Sequence, residues 1–179
     1  MGLFSTIKLI KEEYKKIKRI AEMSYEDMDT LSDEELREAI STRMFGETRR
    51  LDVEECLNHF SGAKKVYYIV DYYDMEVQNG GLCQYFVNSS RITAPYILES
   101  LDLIGATSYK NHLYNFITNN NIDLSNLDSF IIEDVEEFEN QNQRYPFDDF
   151  DEQYYNMYEK EPLEDILIKY VRTNLKEFV

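Results

Sequence analysis

Only six glycines and three prolines interrupt the 179 residues, and between them apolar residues recur every three or four positions. Both facts push the chain towards helix. Glycine and proline are the residues that break one, and an apolar period near 3.6 buries a single helical face. The first such stretch is residues 3–22, where Leu3, Ile7, Ile10, Tyr14, Ile17 and Ala21 fall on one stripe with lysines opposite. Ser32 and Glu35 match a capping box that opens a second helix through Phe45, and Gly46 suits its end. Asp52 can cap a short helix to Phe60. After Gly62, Val66, Ile69, Val70 and Tyr73 repeat at i, i+3, i+4 and i+7. By β-propensity alone Val66–Val70 reads as a strand. No turn-flanked partner strand of like character accompanies it, so the helix is kept.

Asn79-Gly80-Gly81 then breaks the chain, because glycine tolerates the positive φ of a sharp reversal. A short helix from Leu82 to Asn88 follows. Thr93 is placed to cap the next one, Pro95 fits its first turn, and Gly105 sits where a C-terminal glycine belongs. Residues 108–118 form another helix that Asn119-Asn120-Asn121 ends. The rest reads as helices near 127–142, 148–158 and 162–178, broken at Tyr145-Pro146 and Pro162. No internal repeat or flexible linker is evident. The expected fold is all-α, a single compact domain of about eight or nine helices. Residues 26–179 form its body, and an amphipathic helix within residues 1–25 lies at its periphery.

Charge adds a second constraint. The chain carries 35 acidic and 19 basic residues, a formal net charge of −16, yet fifteen Tyr and ten Phe supply core enough to argue against disorder. Such acidity disfavours unaided binding to nucleic acid or to an anionic membrane and favours a cationic partner. It is also regional: residues 123–165 carry fifteen acids against Arg144 and Lys160, whereas residues 1–20 are net basic. Glu133, Asp134, Glu136, Glu137 and Glu139 fall on one expected helix, with Val135 and Phe138 turned inward. Asp148, Asp149, Asp151 and Glu152 follow one loop later, and Glu159, Glu161, Glu164 and Asp165 lie beyond. Carboxylates at i and i+4 stand about 6 Å apart on a helix, a spacing from which rows on adjacent helices can approximate a phosphate track. The plain alternative is that each run is the solvated face of an amphipathic helix.

Catalytic residue types are scarce by comparison. Cys56 and His59 stand at i, i+3, a spacing zinc can use, but only Cys83 and His112 remain as further Cys or His ligands and they form no second motif. No metal site and no cofactor is expected. Cys83 lies near a helix start, where a thiolate is stabilised, yet nothing local orients His112 as its base. Gly80-Gly81 lacks the further glycine and the lysine of a phosphate loop. Two cysteines make no disulfide framework, no secretory signal is visible and no apolar run approaches a membrane span, so a cytoplasmic protein is the default. Met1-Gly2 with Thr6 and the lysines beyond fits a myristoylation spacing, a pattern too short and common to outweigh that default.

The stretch Glu76-Val77-Gln78-Asn79-Gly80-Gly81-Leu82-Cys83-Gln84-Tyr85-Phe86-Val87-Asn88, with Leu101-Asp102-Leu103-Ile104-Gly105-Ala106 downstream, resembles the bacterial DNA-mimic protein family over roughly residues 62–130. The matching positions are Glu76, Asn79, Gly80, Gly81, Gln84, Tyr85, Phe86, Asn88, Gly105 and Ala106. Gln78 and Leu82 depart from the pattern, where Asn and Phe are common. The resemblance implies an all-α fold. For the member that names the family it implies an acidic surface that imitates duplex DNA and sequesters a DNA-binding regulator. Two readings follow. One is a non-enzymatic acidic protein that occupies the basic face of a DNA-binding regulator, nuclease or toxin. The other is an enzyme or small-ligand domain with its site around Glu76, Asn79-Gly80-Gly81, Gln84 and Asn88. Within the motif, Asn79-Gly80-Gly81 is expected to supply a turn and Tyr85 and Phe86 packing, while Gln84 and Asn88 are expected to satisfy exposed backbone groups.

Overall fold

A computed structural model describes the backbone of residues 3–179 and, residue 135 excepted, the side chains of residues 11–179. Met1 and Gly2, which carry the lipidation pattern, and the side chains of Leu3, Ile7 and Ile10 lie outside the described residues. Among the described residues the chain is all-α, without strands. The helices are α1 (Leu3–Glu22), α2 (Tyr25–Asp29), α3 (Asp33–Thr48), α4 (Val53–His59), α5 (Gly62–Val87), α6 (Ala94–Leu103), α7 (Thr107–Asn120), α8 (Val135–Asn142), α9 (Phe147–Tyr158) and α10 (Leu163–Thr173). Short 3-10 turns occupy Ser89–Thr93, Asp128–Phe130 and Leu175–Glu177. None of the described helices is long and apolar enough to cross a membrane.

Local chemistry starts several of these helices. At α3 the Ser32 hydroxyl accepts the Glu35 N–H at 3.3 Å while the Glu35 carboxylate accepts the Ser32 N–H at 2.9 Å. The same reciprocal box opens α2 through Ser24 and Asp27 and α4 through Asp52 and Glu55. Helix α5 has no such local cap, and a residue from the far end of the chain supplies one. The Glu177 carboxylate accepts the Ala63 N–H at 2.7 Å. Arg43 of α3 performs the converse task, donating to the carbonyls of Ile20 (3.0 Å), Met23 (2.5 Å) and Phe178 (3.2 Å). It thereby satisfies the carbonyls that the end of α1 leaves open and ties in the C-terminus.

Four sequence expectations are corrected. Helix α3 runs through Gly46 to Thr48, because nothing there requires a left-handed residue. Thr93 does not cap α6. It ends the 3-10 turn that leads into α6, and its hydroxyl is taken by Tyr85 (2.7 Å) and the Ser90 carbonyl (2.8 Å). The helix expected over 127–142 shrinks to α8, because Asn126 and Asp134 cap backbone N–H groups of Asp128 and Glu137 and divide the stretch. On α1, Tyr14, Ile17 and Ala21 of the expected stripe are exposed, and the inward residue is Ile20. By contrast Asn121 does end α7, in the left-handed conformation at φ 54°.

The core is built around α5, which packs against α4, α6, α8, α9 and α10, while α1 and α10 pack on α3. Aromatic side chains fill it: Tyr73 meets Tyr85 edge-on at 5.0 Å, Tyr109 meets Tyr154 at 5.2 Å, and Phe86 meets Phe130 at 5.1 Å.

Candidate functional site

The Asn79-Gly80-Gly81 segment does break the helix, as a kink within α5. Gly80 (φ −158°, ψ 23°) and Gly81 (φ 79°, ψ 176°) both leave helical geometry, and only Gly81 has the positive φ reserved for glycine. The side chains around the kink hold its two halves together. Glu76, before it, is buried and accepts from the Gln84 amide at 2.7 Å and the Asn88 amide at 3.0 Å, both beyond it. Gln84 and Asn88 therefore satisfy a buried carboxylate and not exposed backbone, which corrects the sequence expectation. Asp151 of α9 accepts the Leu82 N–H at 2.9 Å and caps the second half of α5. Tyr85 and Phe86 are buried, as their packing role requires. Glu76, Gln84 and Asn88 are thus turned on one another, an arrangement that braces a bend, while Asn79 is exposed at the kink.

The other chemical candidates are similarly committed. Cys83 is fully buried, and burial pushes its thiol up to about 12, the opposite of an activated nucleophile. His112 stacks on Phe150 at 4.1 Å and bonds the Phe150 carbonyl at 3.0 Å, and burial lowers its pKa. Cys56 is buried in α4, and His59 meets Glu47 at 3.4 Å. No cluster of metal-ligating side chains occurs among the described residues.

The acidic residues separate into two groups. Glu133 and Asp134 precede α8, with Asp134 as its N-cap, and Glu136, Glu137 and Glu139 lie on it. Phe138 is half-buried as expected, and the side chain of Val135 lies outside the described residues. Asp148, Asp149 and Glu152 sit on α9, and Glu159 and Glu161 follow in the turn to α10. All ten are exposed, and the ion pairs among the described residues involve none of them. Three acids of the expected surface behave differently. Asp151 is half-buried at the kink, and its burial pushes the carboxyl up to about 6 despite the bond from Leu82. Glu164 and Asp165 share Arg37 of α3, at 3.2 and 3.0 Å, and so join α10 to α3.

Sequence reasoning missed a groove of about 700 Å³ between α3, α4, α5 and the Ser89–Thr93 turn. Met44, Phe45 and Thr48 form one wall, and Tyr68, Asp71, Tyr72 and Met75 of α5 form the other. The signal was present as a second helical stripe on α5, at i, i+3, i+4 and i+7, beside the stripe that marks the core. The Tyr68 and Tyr72 rings stack at 5.5 Å. The Asp71 carboxyl reaches solvent at its edge but is crowded by protein behind. That desolvation, reinforced by Asp74, pushes it up to about 6.

No curated protein and no solved structure is significantly similar to the chain. A family profile described as DMP19-like protein does match, over residues 58–174. The match extends past the motif to take in α8, α9 and α10, and so includes the acidic stretch as well as the kinked helix. Covering well over half of the sequence, it establishes that the chain belongs to the DMP19-like protein family.

Proposed function

We propose that this chain is a non-enzymatic acidic interaction protein that imitates duplex DNA and occupies the basic face of a DNA-binding regulator, nuclease or toxin. The observation that carries the reading is the set of exposed acids on and around α8 and α9 that have no cationic partner among the described residues. Glu133, Asp134, Glu136, Glu137, Glu139, Asp148, Asp149, Glu152, Glu159 and Glu161 form this surface, with Arg144 and Lys160 the only basic residues between positions 123 and 165. Asp148 and Glu152 are one turn apart on α9, which places two carboxylates about 6 Å from each other, within reach of side chains that bind successive phosphates. Membership of a family whose name stands for DNA mimic protein 19 supports the same reading. Asp151, Glu164 and Asp165 are set aside from the surface because each already has a partner within the chain, Leu82 or Arg37. The surface needs no cofactor and no metal, and its partner is a protein. We place it in the cytoplasm, where DNA-binding proteins are at hand.

The test is binding to a basic DNA-binding protein captured from the native cytosol, measured over a salt series with duplex DNA as competitor. Affinity should fall steeply as salt rises, and duplex DNA should displace the chain. A variant combining Glu136→Gln, Asp148→Asn, Asp149→Asn and Glu152→Gln should lose most of both the affinity and the salt slope. Unchanged affinity and slope in that variant would overturn the reading.

A further inference from the structure

The groove between α3, α4 and α5 stands apart from the acidic surface on α8 and α9. Its rim is apolar and open to solvent: Phe45 is 70% exposed, Met75 50% and Ile92 38%. Its wall is aromatic, with the stacked Tyr68 and Tyr72. Its charged lining residues are three acids, Asp52, Glu54 and Asp71, and one base, Arg49. Exposed apolar side chains gathered at one concave site mark a docking surface more often than a chance of composition. Aromatic rings beside a carboxylate are the chemistry that takes an organic cation, through the ring faces and the opposite charge together. The volume suits a few side chains, not a whole domain.

We propose that this groove is a second docking site, which receives an arginine or lysine side chain carried on an apolar-flanked segment of a basic protein. The cationic head lies against Asp71 beside the stacked Tyr68–Tyr72 pair, and the flanking apolar side chains cover Phe45, Met75 and Ile92. A protein segment is favoured over a free organic cation because a small ligand would leave that apolar rim uncovered. The inference rests on the reading of the partner as basic, and deepens it. The acidic surface supplies diffuse charge, whereas the groove would recognise one side chain in its context. Asp71 suits the role by being pushed up to about 6, since a bound cation holds such a carboxyl in its ionised form.

The test uses the full chain and an acetylated, amidated Ala-Leu-Arg-Leu-Ala peptide, compared with the peptide in which neutral citrulline replaces arginine, and with butylguanidine alone. Calorimetry gives the affinities. The arginine peptide should bind about tenfold more tightly than the citrulline peptide. Asp71→Asn should abolish that difference, and Phe45→Ala should weaken both peptides. Asp71→Asn keeps an oxygen that can accept from the Tyr67 hydroxyl and Phe45 is 70% exposed, so both variants should melt as the parent does. Equal affinity for the two peptides, or no effect of Asp71→Asn, overturns the proposal. Butylguanidine binding as tightly as the peptide also overturns it, in favour of a free cation. The variant neutralised at Glu136, Asp148, Asp149 and Glu152 should still bind the arginine peptide, and loss there would place the peptide on the acidic surface instead. Failure of the groove leaves the salt-dependent, DNA-competed binding of the whole partner untouched, so the two readings fall separately.

Discussion

Glu76 is the one charged side chain among the buried polar residues of the described core, and two amides make its burial tolerable. A buried carboxylate without donors would cost several kcal/mol, whereas one that accepts from Gln84 and Asn88 keeps its polar bonds. Glu76→Gln should cost about 1 kcal/mol, since neutral acceptors bond more weakly than charged ones. Glu76→Met, which removes the acceptor, should cost about 2 kcal/mol. Urea denaturation gives the order. A role in catalysis would predict no such order in stability. The sequence showed that Glu76, Gln84 and Asn88 belong to one motif, and hid what they do for one another. It hid still more about Asp151 and about Glu164 and Asp165. Their partners Leu82 and Arg37 lie 69 and more than a hundred residues away, and only the packed helices bring them together. A carboxylate on a helix looks the same in sequence whether it faces solvent or caps a neighbour.

The kink in α5 is where helix and site depend on each other. Gly81 stands at φ 79° and ψ 176°, a region closed to residues with a side chain, and a Cβ there would overlap the Asp151 carboxylate. Gly81→Ala should therefore cost about 3 kcal/mol and loosen the contact between α5 and α9, read as a lower Tm and faster amide exchange at Leu82. Gly46→Ala, in the last turn of α3 with open space around it, should instead stabilise by about 0.5 kcal/mol. The contrast shows why elements are only partly legible. Two adjacent glycines after a long apolar period announce a bend correctly, whereas the isolated Gly46 resembles a helix end and is not one. Capping residues at 32, 35 and 52 were equally legible, because their bonds close within three residues. Helix α2 is not legible in the sequence, because five residues show no period. The 127–142 stretch was overextended because its acids read as one helical face, while Asp134 was already acting as a cap.

For the whole molecule, charge sets the response to pH and to salt. Burial pushes Asp74, which accepts from the Tyr154 hydroxyl at 2.6 Å, up from 3.8 to about 6, and Asp151 likewise. The folded state thus holds these protons more tightly than the unfolded chain, so protonation favours folding. The stabilisation is complete below the ordinary carboxyl value and is lost as pH rises to about 6, after which stability levels off. Thermal melts should show Tm falling across that window, and Asp74→Asn should flatten the fall. Salt acts on the same molecule with two signs. Dividing the chain after residue 65 leaves −2 on the first part and −14 on the second, so nearly all of the net charge falls on just under two thirds of the sequence. Acids in excess over bases repel one another in the free chain, and added salt screens that repulsion within a Debye length of about 10 Å at 0.1 M. Raising sodium chloride should therefore increase the Tm of the free chain while weakening its complex with a basic partner. If the acids were only a solvated coat, with no partner to meet them, salt would act on stability alone. A fall in affinity alongside the rise in Tm, both lost when Glu136, Asp148, Asp149 and Glu152 are neutralised, assigns the two effects to one surface. The self-repulsion of that surface in the free protein is then what a cationic partner relieves on binding.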